Sequence, residues 1–286
     1  MDKLSAALER ARNEKQGNIG RLRREQGNGR PQPAAPEPTA TPAAEEVPVT
    51  TDQAEAQISL DAITYLQTRL IELDPDVLEH NRVIASRSDD ERVEAYRHLR
   101  TQVLQLFARH DWKSLAVTSP HENAGKTLTS INLAISLAHE VTHSVLLVDL
   151  DLRKPNVHTT LGVDVDVGIT DVVQGNAKVS DALFNPRIPR LVVMPGRPLG
   201  KHASEMLTTP AMQRLLAELK HRYSSRLVIF DLPPLLRNDD ALKFTPYADA
   251  TLLVVEEGVS TAEDVERSQH LLRNANLVGT ILNKAR

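Results

Sequence analysis

The sequence predicts an α/β fold: a doubly wound, mostly parallel sheet with helices on both faces. Short runs rich in Val, Ile and Leu alternate with helical patterns over most of the chain. This alternation is typical of parallel strands joined by crossover helices. The runs are apolar at successive positions instead of every second one, which is the pattern of strands buried on both faces.

The predicted elements alternate regularly after a first helix at residues 88–110. That helix begins with Ser88, Asp89 and Asp90, whose side chains favour a helix N-terminus. Apolar runs predict strands at residues 114–119, 144–150, 190–194, 226–232, 250–256 and 277–283. Helical patterns lie between them at residues 126–141, 209–222, 238–246 and 261–275.

The composition is that of a globular protein without cysteine. Of the 286 residues, 41% are hydrophobic and 25% are charged, which is enough apolar content for a sizeable core. The lack of cysteine excludes disulfides, thiolate metal sites and a cysteine nucleophile, and it fits a reducing compartment. The net charge of −4 argues against a dedicated nucleic-acid-binding protein, so no nucleic-acid partner is expected. The charged N-terminus and the lack of a long apolar run predict a cytoplasmic protein that reaches the membrane only through a partner.

Changes in composition predict three segments. Residues 1–26 combine apolar positions at helical spacing with several arginines; they predict a basic amphipathic helix, either docked on a membrane or partner or simply solvated. Residues 27–57 are rich in Pro and Ala and predict a disordered linker. Residues 58–286 hold all the strand patterns and predict the folded domain.

A phosphate-binding turn is predicted after the strand at 114–119. Gly125, Lys126 and Thr127 open the next helix, the setting in which backbone N–H groups, a lysine and a hydroxyl bind phosphates and Mg²⁺. Pro120 stands at the first glycine position of the usual G-x-x-x-x-G-K-[ST] pattern. Asn123 suits the turn because asparagine tolerates the left-handed conformation better than most residues.

Two later strands end in aspartates. Asp149 and Asp151 lie two residues apart at the end of one strand, and Asp231 lies at the end of another. The carboxyl ends of parallel strands share one edge of a sheet, so these carboxylates are expected beside the phosphate-binding turn. Carboxylates in such a place can hold Mg²⁺ and orient or deprotonate a nucleophile.

These motifs, in this order, resemble the bacterial tyrosine kinases of exopolysaccharide loci, which are P-loop proteins related to the MinD and ParA ATPases. The segments GKT, VDLDLRKP and IFDLPP correspond to the Walker A, A′ and B motifs of that family. The segments EAYRHLRTQVL, NLAISLA, DDALKF and LLVVEEG are most similar to the tyrosine autokinases encoded beside exosortase and PEP-CTERM genes.

The resemblance implies ATP and Mg²⁺ and assigns roles to individual residues. The implied catalytic residues are Lys126, Asp149, Asp151 and Asp231. The implied metal ligands are Thr127, Asp151 and Asp231. The implied nucleotide-binding residues are Asn123, Ala124, Gly125, Lys126, Thr127, Leu128 and Asn283. Asn283 stands where this superfamily often contacts the adenine base.

The resemblance also implies self-assembly and a membrane partner. Glu94, Arg97 and Arg100 match the E-x-x-R-x-x-R helix that the family associates with ring-like homo-oligomers. Pairing of Glu94 with Arg97 within the helix is the alternative role of these charges. The activating partner that the family implies is a membrane-bound polysaccharide co-polymerase, also called a chain-length protein.

The chain departs from the family pattern in two places. Family loops commonly read P-G-E-G-K-[ST], whereas this loop has Glu122, Asn123 and Ala124 before Gly125. The Cβ atoms of Asn123 and Ala124 would crowd the phosphates, and the Glu122 carboxylate would repel them if it faced them. The family's autokinases also carry a tyrosine cluster after the last strand. The four tyrosines of this chain are scattered instead, at Tyr65, Tyr96, Tyr223 and Tyr247.

The predicted function is therefore an ATP-dependent protein-tyrosine kinase that regulates exopolysaccharide biosynthesis, polymerisation or export. One alternative is a MinD/ParA-like ATPase switch. Those proteins carry a signature lysine five residues before the P-loop lysine, where this chain has His121. The other alternative is a nucleotide-binding assembly subunit with little or no catalysis.

Overall fold

The computed structural model describes residues 68–86, 90–223 and 225–285. The chain divides into two units, Met1–Leu66 and Gln67–Arg286, and the described residues all belong to the second. The predicted basic helix at 1–26 and linker at 27–57 lie outside the described residues. The three-segment division therefore stays a prediction.

The centre of the fold is one mixed sheet. Its strands are β1 (Arg69–Leu70), β2 (Ser114–Thr118), β3 (Ser144–Asp149), β4 (Phe184–Asn185), β5 (Leu191–Met194), β6 (Arg226–Asp231), β7 (Ala250–Glu256) and β8 (Leu277–Asn283). They form an eight-stranded sheet in the order β1-β4-β5-β3-β6-β2-β7-β8. Neighbouring strands are parallel except β4 and β5. The predicted mostly parallel α/β fold is thus confirmed.

Helices join the strands and flank the sheet. They are α1 (Pro75–His80), α2 (Val93–His110), α3 (Lys126–Ala138), α4 (Val157–Thr160), α5 (Ile169–Val173), α6 (Val179–Ala182), α7 (Ala203–Leu207), α8 (Pro210–His221), α9 (Asp240–Phe244) and α10 (Ala262–Leu271). Short 3₁₀ turns occur at Gly200–His202, Thr245–Tyr247 and Leu272–Asn274. None of the helices in the described part of the chain is both long and apolar enough to cross a bilayer.

Local sequence signals explain where two of the longer helices begin. Thr209 precedes α8, its side chain accepts a hydrogen bond from the Met212 backbone, and Pro210 occupies the first turn, where a missing N–H costs nothing. Thr261 and Asp264 form a reciprocal capping box at the start of α10. Each pattern satisfies donors that a helix N-terminus otherwise leaves without partners.

The order of the strands places the three predicted motif ends side by side. β6 lies between β3 and β2, and both pairs are parallel. Asp149 at the end of β3 is in register with Asp231 at the end of β6, and Val117 of β2 is in register with the same Asp231. The loops that follow these strands therefore share one edge of the sheet, where ligands of open α/β sheets bind.

The structure corrects several predicted boundaries. α2 begins at Val93 and not at Ser88; Ser88 and Asp89 lie outside the described residues. Asp90 precedes the helix, and its carboxylate accepts a hydrogen bond from the Arg92 backbone at 2.9 Å. α3 ends at Ala138 instead of residue 141.

The sheet edges also differ from the prediction. β8 was expected to be fully buried, but it is the outer strand of the sheet and most of its residues are only half-buried. An edge strand keeps one side without a neighbour, so apolar content alone does not distinguish it from a central strand. β1 and β4 were not predicted, because two-residue strands leave no periodic pattern in the sequence.

The described segment before α2 is fastened to α3 by one buried amide side chain. Asn132 Oδ1 accepts hydrogen bonds from the backbone N–H groups of Ile84 and Ala85 at 2.8 and 2.9 Å. Asn132 Nδ2 donates to the carbonyls of Arg82 and Leu128 at 3.2 and 3.1 Å. All the polar capacity of this fully buried side chain is thereby used.

Candidate active site

The phosphate-binding turn connects β2 to α3. Asn123 and Gly125 both adopt positive φ, at 61° and 91°, so the asparagine takes the left-handed conformation that its position in the turn predicts. α3 begins directly at Lys126. The first N–H groups of a helix lack partners within the helix and carry the positive end of its dipole, so this turn presents donors suited to phosphate.

Lys126 lies between two carboxylates, one in the loop after β3 and one at the end of β6. Its Nζ donates to Asp151 Oδ2 at 2.9 Å and lies 3.9 Å from Asp231 Oδ2. It also donates to Thr127 Oγ1 at 3.3 Å. Lys126 is buried, and its ammonium group is held at the base of the turn by the loop after β3 and by the end of β6.

Asp231 is held by the hydroxyls of α3. Thr127 Oγ1 donates to Asp231 Oδ2 at 2.6 Å, and Ser130 Oγ donates to Asp231 Oδ1 at 3.0 Å. Ser130 also donates to the carbonyl of Lys126 at 2.9 Å. Ser130 was not predicted from the sequence. Its position one helical turn after Lys126 is the signal that identifies it, because residues four apart lie on one face.

Asp149 is turned toward the backbone of the loop that follows β3. Its Oδ1 accepts the N–H of Asp151 at 3.1 Å, and its Oδ2 accepts those of Asn156 and Val157, each at 2.9 Å. These three bonds fold the loop back onto the end of the strand. Asp149 therefore positions the loop that presents Asp151.

The electrostatics of the site follow from burial and from opposite charges. Burial raises the pKa of Asp149 and of Asp231, and repulsion from neighbouring carboxylates raises both further. Burial lowers the pKa of Lys126, but attraction by Asp231 and Asp151 outweighs it, so the net shift is upward. The lysine thus stays protonated throughout the physiological range and supplies a fixed positive charge.

A cavity of about 520 Å³ opens above the turn. Lys126, Thr127 and Asp151 line this cavity. Asp149, which is also described in the structure, does not. The lining residues are Asn81, Glu122, Asn123, Gly125, Lys126, Thr127, Leu128, Asp151, Lys154, Pro155, Asn156 and Thr160. Asn81 was not predicted from the sequence, because its place in the wall depends on a hydrogen bond from its Nδ2 to the distant carbonyl of Thr160 at 2.9 Å.

The donor set fits a nucleotide with Mg²⁺. Within the described residues, no three His, Cys, Asp or Glu side chains are grouped so as to hold a metal ion by themselves. Mg²⁺ is usually bound through one or two carboxylates together with substrate phosphates and water. Thr127, Asp151 and Asp231 supply such a partial set of oxygens beside the phosphate donors of the turn.

Asn283 contacts the turn from the last strand. Its Nδ2 donates to the carbonyl of Ala124 at 2.9 Å. A Cβ on Gly125 would lie 2.0 Å from the same nitrogen, so any other residue would displace the Asn283 side chain, and the φ of 91° independently favours glycine. The structure thus shows a contact of Asn283 with the turn; its predicted contact with adenine stays a prediction.

The charges predicted to mediate assembly lie on α2. Arg97 Nη1 donates to Glu94 Oε2 at 3.1 Å, so the intrahelical pair is formed, and the side chains of Arg97 and Glu94 are 43% and 57% exposed. Arg100 instead turns toward the end of α3, where it donates to the Ser136 carbonyl at 3.2 Å and lies 3.1 Å from Glu140. Glu94 and Arg97 therefore lie on the surface, while Arg100 contacts the neighbouring helix.

The described tyrosines are engaged in local contacts. Burial raises the pKa of the Tyr96 hydroxyl, and the Tyr96 backbone carbonyl accepts a hydrogen bond from Ser136 Oγ of α3 at 3.3 Å. Tyr223 lies under the guanidinium of Arg226 at 4.0 Å. The hydroxyl of Tyr247 accepts a hydrogen bond from Gln213 at 2.8 Å in an exposed position. Tyr65 lies outside the described residues.

Comparisons with known proteins agree with this geometry. The family described as "AAA domain" matches residues 113–282. The tyrosine-protein kinase YwqD of Bacillus subtilis (strain 168) is 30% identical over 208 residues, which cover 72% of this chain and 86% of that protein.

Two solved structures share the fold. The kinase domain of the Escherichia coli tyrosine kinase ETK matches with a TM-score of 0.64 and 29% identity, over 69% of this chain and 77% of that one. The septum site-determining protein MinD of Pyrococcus horikoshii OT3, complexed with Mg-ADP, matches with a TM-score of 0.51 and 25% identity, over 59% of this chain and 71% of that one. The chain thus contains an AAA domain with a P-loop, and it belongs to the family of bacterial tyrosine-protein kinases.

Proposed function

We propose that the protein transfers the γ-phosphoryl group of ATP to a tyrosine hydroxyl, and that it regulates exopolysaccharide biosynthesis, polymerisation or export in this way. The observation that carries the proposal is the placement of Lys126 between Asp151 and Asp231, at the N-terminus of α3. The relatives named as tyrosine-protein kinases support the choice of tyrosine as the acceptor.

The residues of the turn would bind the phosphates. Backbone N–H groups at the start of α3 and the Lys126 ammonium face the cavity from one side, and the site oxygens of Thr127, Asp151 and Asp231 lie beside them. When bound there, Mg²⁺ would neutralise charge on the β- and γ-phosphates. Phosphoryl transfer depends mostly on such positioning and charge stabilisation.

Asp151 suits the role of proton acceptor better than Asp149 does. Asp151 lines the cavity, so an incoming hydroxyl can approach its carboxylate. Asp149 is fully buried and its two oxygens accept three backbone N–H groups. We therefore assign Asp151 as the base that accepts the tyrosine proton, and Asp149 as the residue that positions it.

The proposal extends to the surroundings of the kinase. We assign Glu94, Arg97 and Arg100 to a homo-oligomeric interface, supported by the exposure of the first two on α2. A membrane-bound polysaccharide co-polymerase would activate the protein at the inner face of the membrane. The basic segment at 1–26 and the linker at 27–57 would let the domain search for that partner.

The proposed function is tested by incubating the full chain with γ-labelled ATP and Mg²⁺. Base-stable label on tyrosine is the expected result, either on this chain or on the added cytoplasmic segment of a co-polymerase. Lys126→Ala removes the charge at the base of the turn, so it should reduce labelling at least about 100-fold. Lys243→Ala, which removes a lysine outside the cavity lining, serves as the matched control.

Labelling that is equal in Lys126→Ala and in the wild type would overturn the assigned site. Release of free phosphate without any phosphotyrosine, in the presence of the co-polymerase segment, would instead favour a MinD-like ATPase switch. The likeness to MinD with Mg-ADP supports that second candidate. Against it, His121 occupies the signature-lysine position and its Nε2 lies 3.1 Å from Asp264 Oδ2 at the start of α10.

A further inference from the structure

Glu122 lies at the cavity wall and contacts cations from two other loops. Lys154 Nζ donates to both oxygens of its carboxylate, at 3.1 and 3.2 Å. Arg237 Nη1 lies 3.0 Å from Glu122 Oε2. Glu122 follows β2, Lys154 follows β3 and Arg237 follows β6, so one carboxylate connects the loops that surround the phosphate-binding turn.

Lys154 belongs to the same cavity as Lys126. Both residues line it, and Asp151 lies between them in the hydrogen-bond network: its Oδ2 accepts from Lys126 Nζ at 2.9 Å and its Oδ1 accepts from the Lys154 backbone at 3.1 Å. The backbone of Lys154 is therefore fixed relative to the turn. Its side chain is 69% exposed and ends on Glu122, which leaves it free to reorient.

We infer that Lys154 is a second phosphate-binding cation, which favours a triphosphate over a diphosphate, and that Glu122 competes with the terminal phosphate for it. The inference rests on the proposed function and names a further substrate-binding residue of the same site. Lys126 is engaged with the buried Asp151 and Asp231, whereas the partner of the Lys154 ammonium among residues 68–86, 90–223 and 225–285 is the partly exposed carboxylate of Glu122.

The strength of the Glu122 contact is suited to this exchange. Ion pairs with exposed partners are weak, because water screens them and the side chains lose entropy. A terminal phosphate carries more negative charge than a carboxylate, so it attracts the ammonium more strongly at equal distance. Glu122 keeps Arg237 as a partner when Lys154 leaves it, so the exchange does not leave a carboxylate without a cation.

The test measures the dissociation constants of ATP and ADP, each with Mg²⁺, for the full chain and three variants. Lys154→Ala should raise the Kd of ATP about tenfold and that of ADP less than about twofold, since one charge-assisted contact to the terminal phosphate is lost. Glu122→Gln should lower the Kd of ATP about fivefold, because the competing charge is removed. The gain should disappear in the combined variant Glu122→Gln/Lys154→Ala.

Glu218→Gln is the matched control. It removes one carboxylate from an exposed pair with Arg222 on α8, at 3.2 Å, and should change neither Kd. The inference is overturned if Lys154→Ala weakens ATP and ADP equally or not at all, or if the gain from Glu122→Gln persists in the combined variant. If either of these contradicting results occurs while tyrosine labelling is normal, the inference about Lys154 and Glu122 is overturned and the kinase proposal stands. The expected Kd changes without any phosphotyrosine overturn the kinase proposal alone, and a wild-type chain that binds neither nucleotide overturns both.

Discussion

Asn283 ties the last strand to the phosphate-binding turn through a single side-chain amide. Its hydrogen bond to the Ala124 carbonyl fixes the turn from outside the P-loop motif. The same nitrogen fills the space beside Gly125, where a Cβ would come within 2.0 Å. The two bonded residues are 159 positions apart in the sequence, so the shape of the turn depends on a strand that the chain forms much later.

We predict that Asn283→Ala raises the Kd of ATP about fivefold, because a hydrogen bond that contributes about 1 kcal/mol to the shape of the turn is lost.

Gly125→Ala should abolish measurable binding, since it adds a clash with Asn283 to the strain of a positive φ. Displacement of a fluorescent nucleotide checks both. In Gly125→Ala/Asn283→Ala the clash is absent and the strain remains, so binding should return only in part; wild-type affinity in Gly125→Ala would contradict the assigned contact.

Single residues of the site were predictable to different degrees. The positions of Lys126, Asp151 and Asp231 follow from strand ends and a turn motif, so the sequence alone places them at one edge of the sheet. The contacts of Asp149 with three backbone N–H groups were not predictable, because they depend on how the loop to Val157 folds back. The spacing of Asp149 and Asp151 in the sequence does not indicate which of the two carboxylates faces the cavity.

At the scale of elements, α3 links the site to the rest of the fold. Its buried Asn132 binds the backbone of residues 82–85 through both oxygen and nitrogen. Its Ser136 donates a hydrogen bond to the Tyr96 carbonyl of α2, and the Ser136 carbonyl accepts one from Arg100 of α2. The helix that begins with Lys126 is therefore also the attachment point of α2 and of the segment before it.

Asn132→Ala is expected to lower the free energy of unfolding by about 3 kcal/mol. The buried N–H groups of Ile84 and Ala85 would lose their acceptor, and each buried donor without a partner costs about 1–3 kcal/mol. Chemical denaturation followed by circular dichroism measures the change. Asn276→Ala is the control: this asparagine also donates to a backbone carbonyl, at 2.9 Å, but in an exposed position, so a loss below about 0.5 kcal/mol is expected. Equal losses in the two variants would contradict the assigned role.

Elements were predicted well where they are long and periodic. β7 and β8 have the predicted boundaries, and the other long strands agree to within a residue. The short helices α4, α5 and α6 were missed, because four or five residues give no clear helical period. The start of α2 at Val93 was predicted too early: Arg92 is the N-cap residue and its side chain makes no capping hydrogen bond, so favourable capping residues did not mark this helix start.

At the scale of the whole molecule, the strand order β3-β6-β2 brings together motifs that are far apart in the sequence. The alternation of strands and helices predicts a parallel sheet but does not fix the order of its strands, so the contact between the loops of Glu122, Lys154 and Arg237 could not be predicted. The pairs of Glu122 with Lys154 and with Arg237 form because the loops after β2, β3 and β6 all begin at the same edge of the sheet.

Assembly gives a prediction at the same scale. Glu94→Arg reverses a charge on the exposed face of α2 and places it beside Arg97, so we expect it to weaken self-association. The free energy of unfolding should change by only about 0.5 kcal/mol, because the pair lies on one helix. Sedimentation velocity with and without nucleotide measures the oligomer. Glu218→Arg on α8, beside Arg222, is the matched reversal; an equal effect of both variants, or none, would refute the interface.

The near-complete burial of α3 has a consequence for how the protein responds to ligand. Local opening in proteins occurs where few buried contacts hold a segment, and buried central helices exchange their amide hydrogens mainly when the whole molecule unfolds. The lysine of the site is the first residue of such a helix. Because the site forms only when this helix is folded, a nucleotide that binds only the folded state also opposes global unfolding. At 100 times its Kd it would add about 2.7 kcal/mol to the free energy of unfolding of the domain.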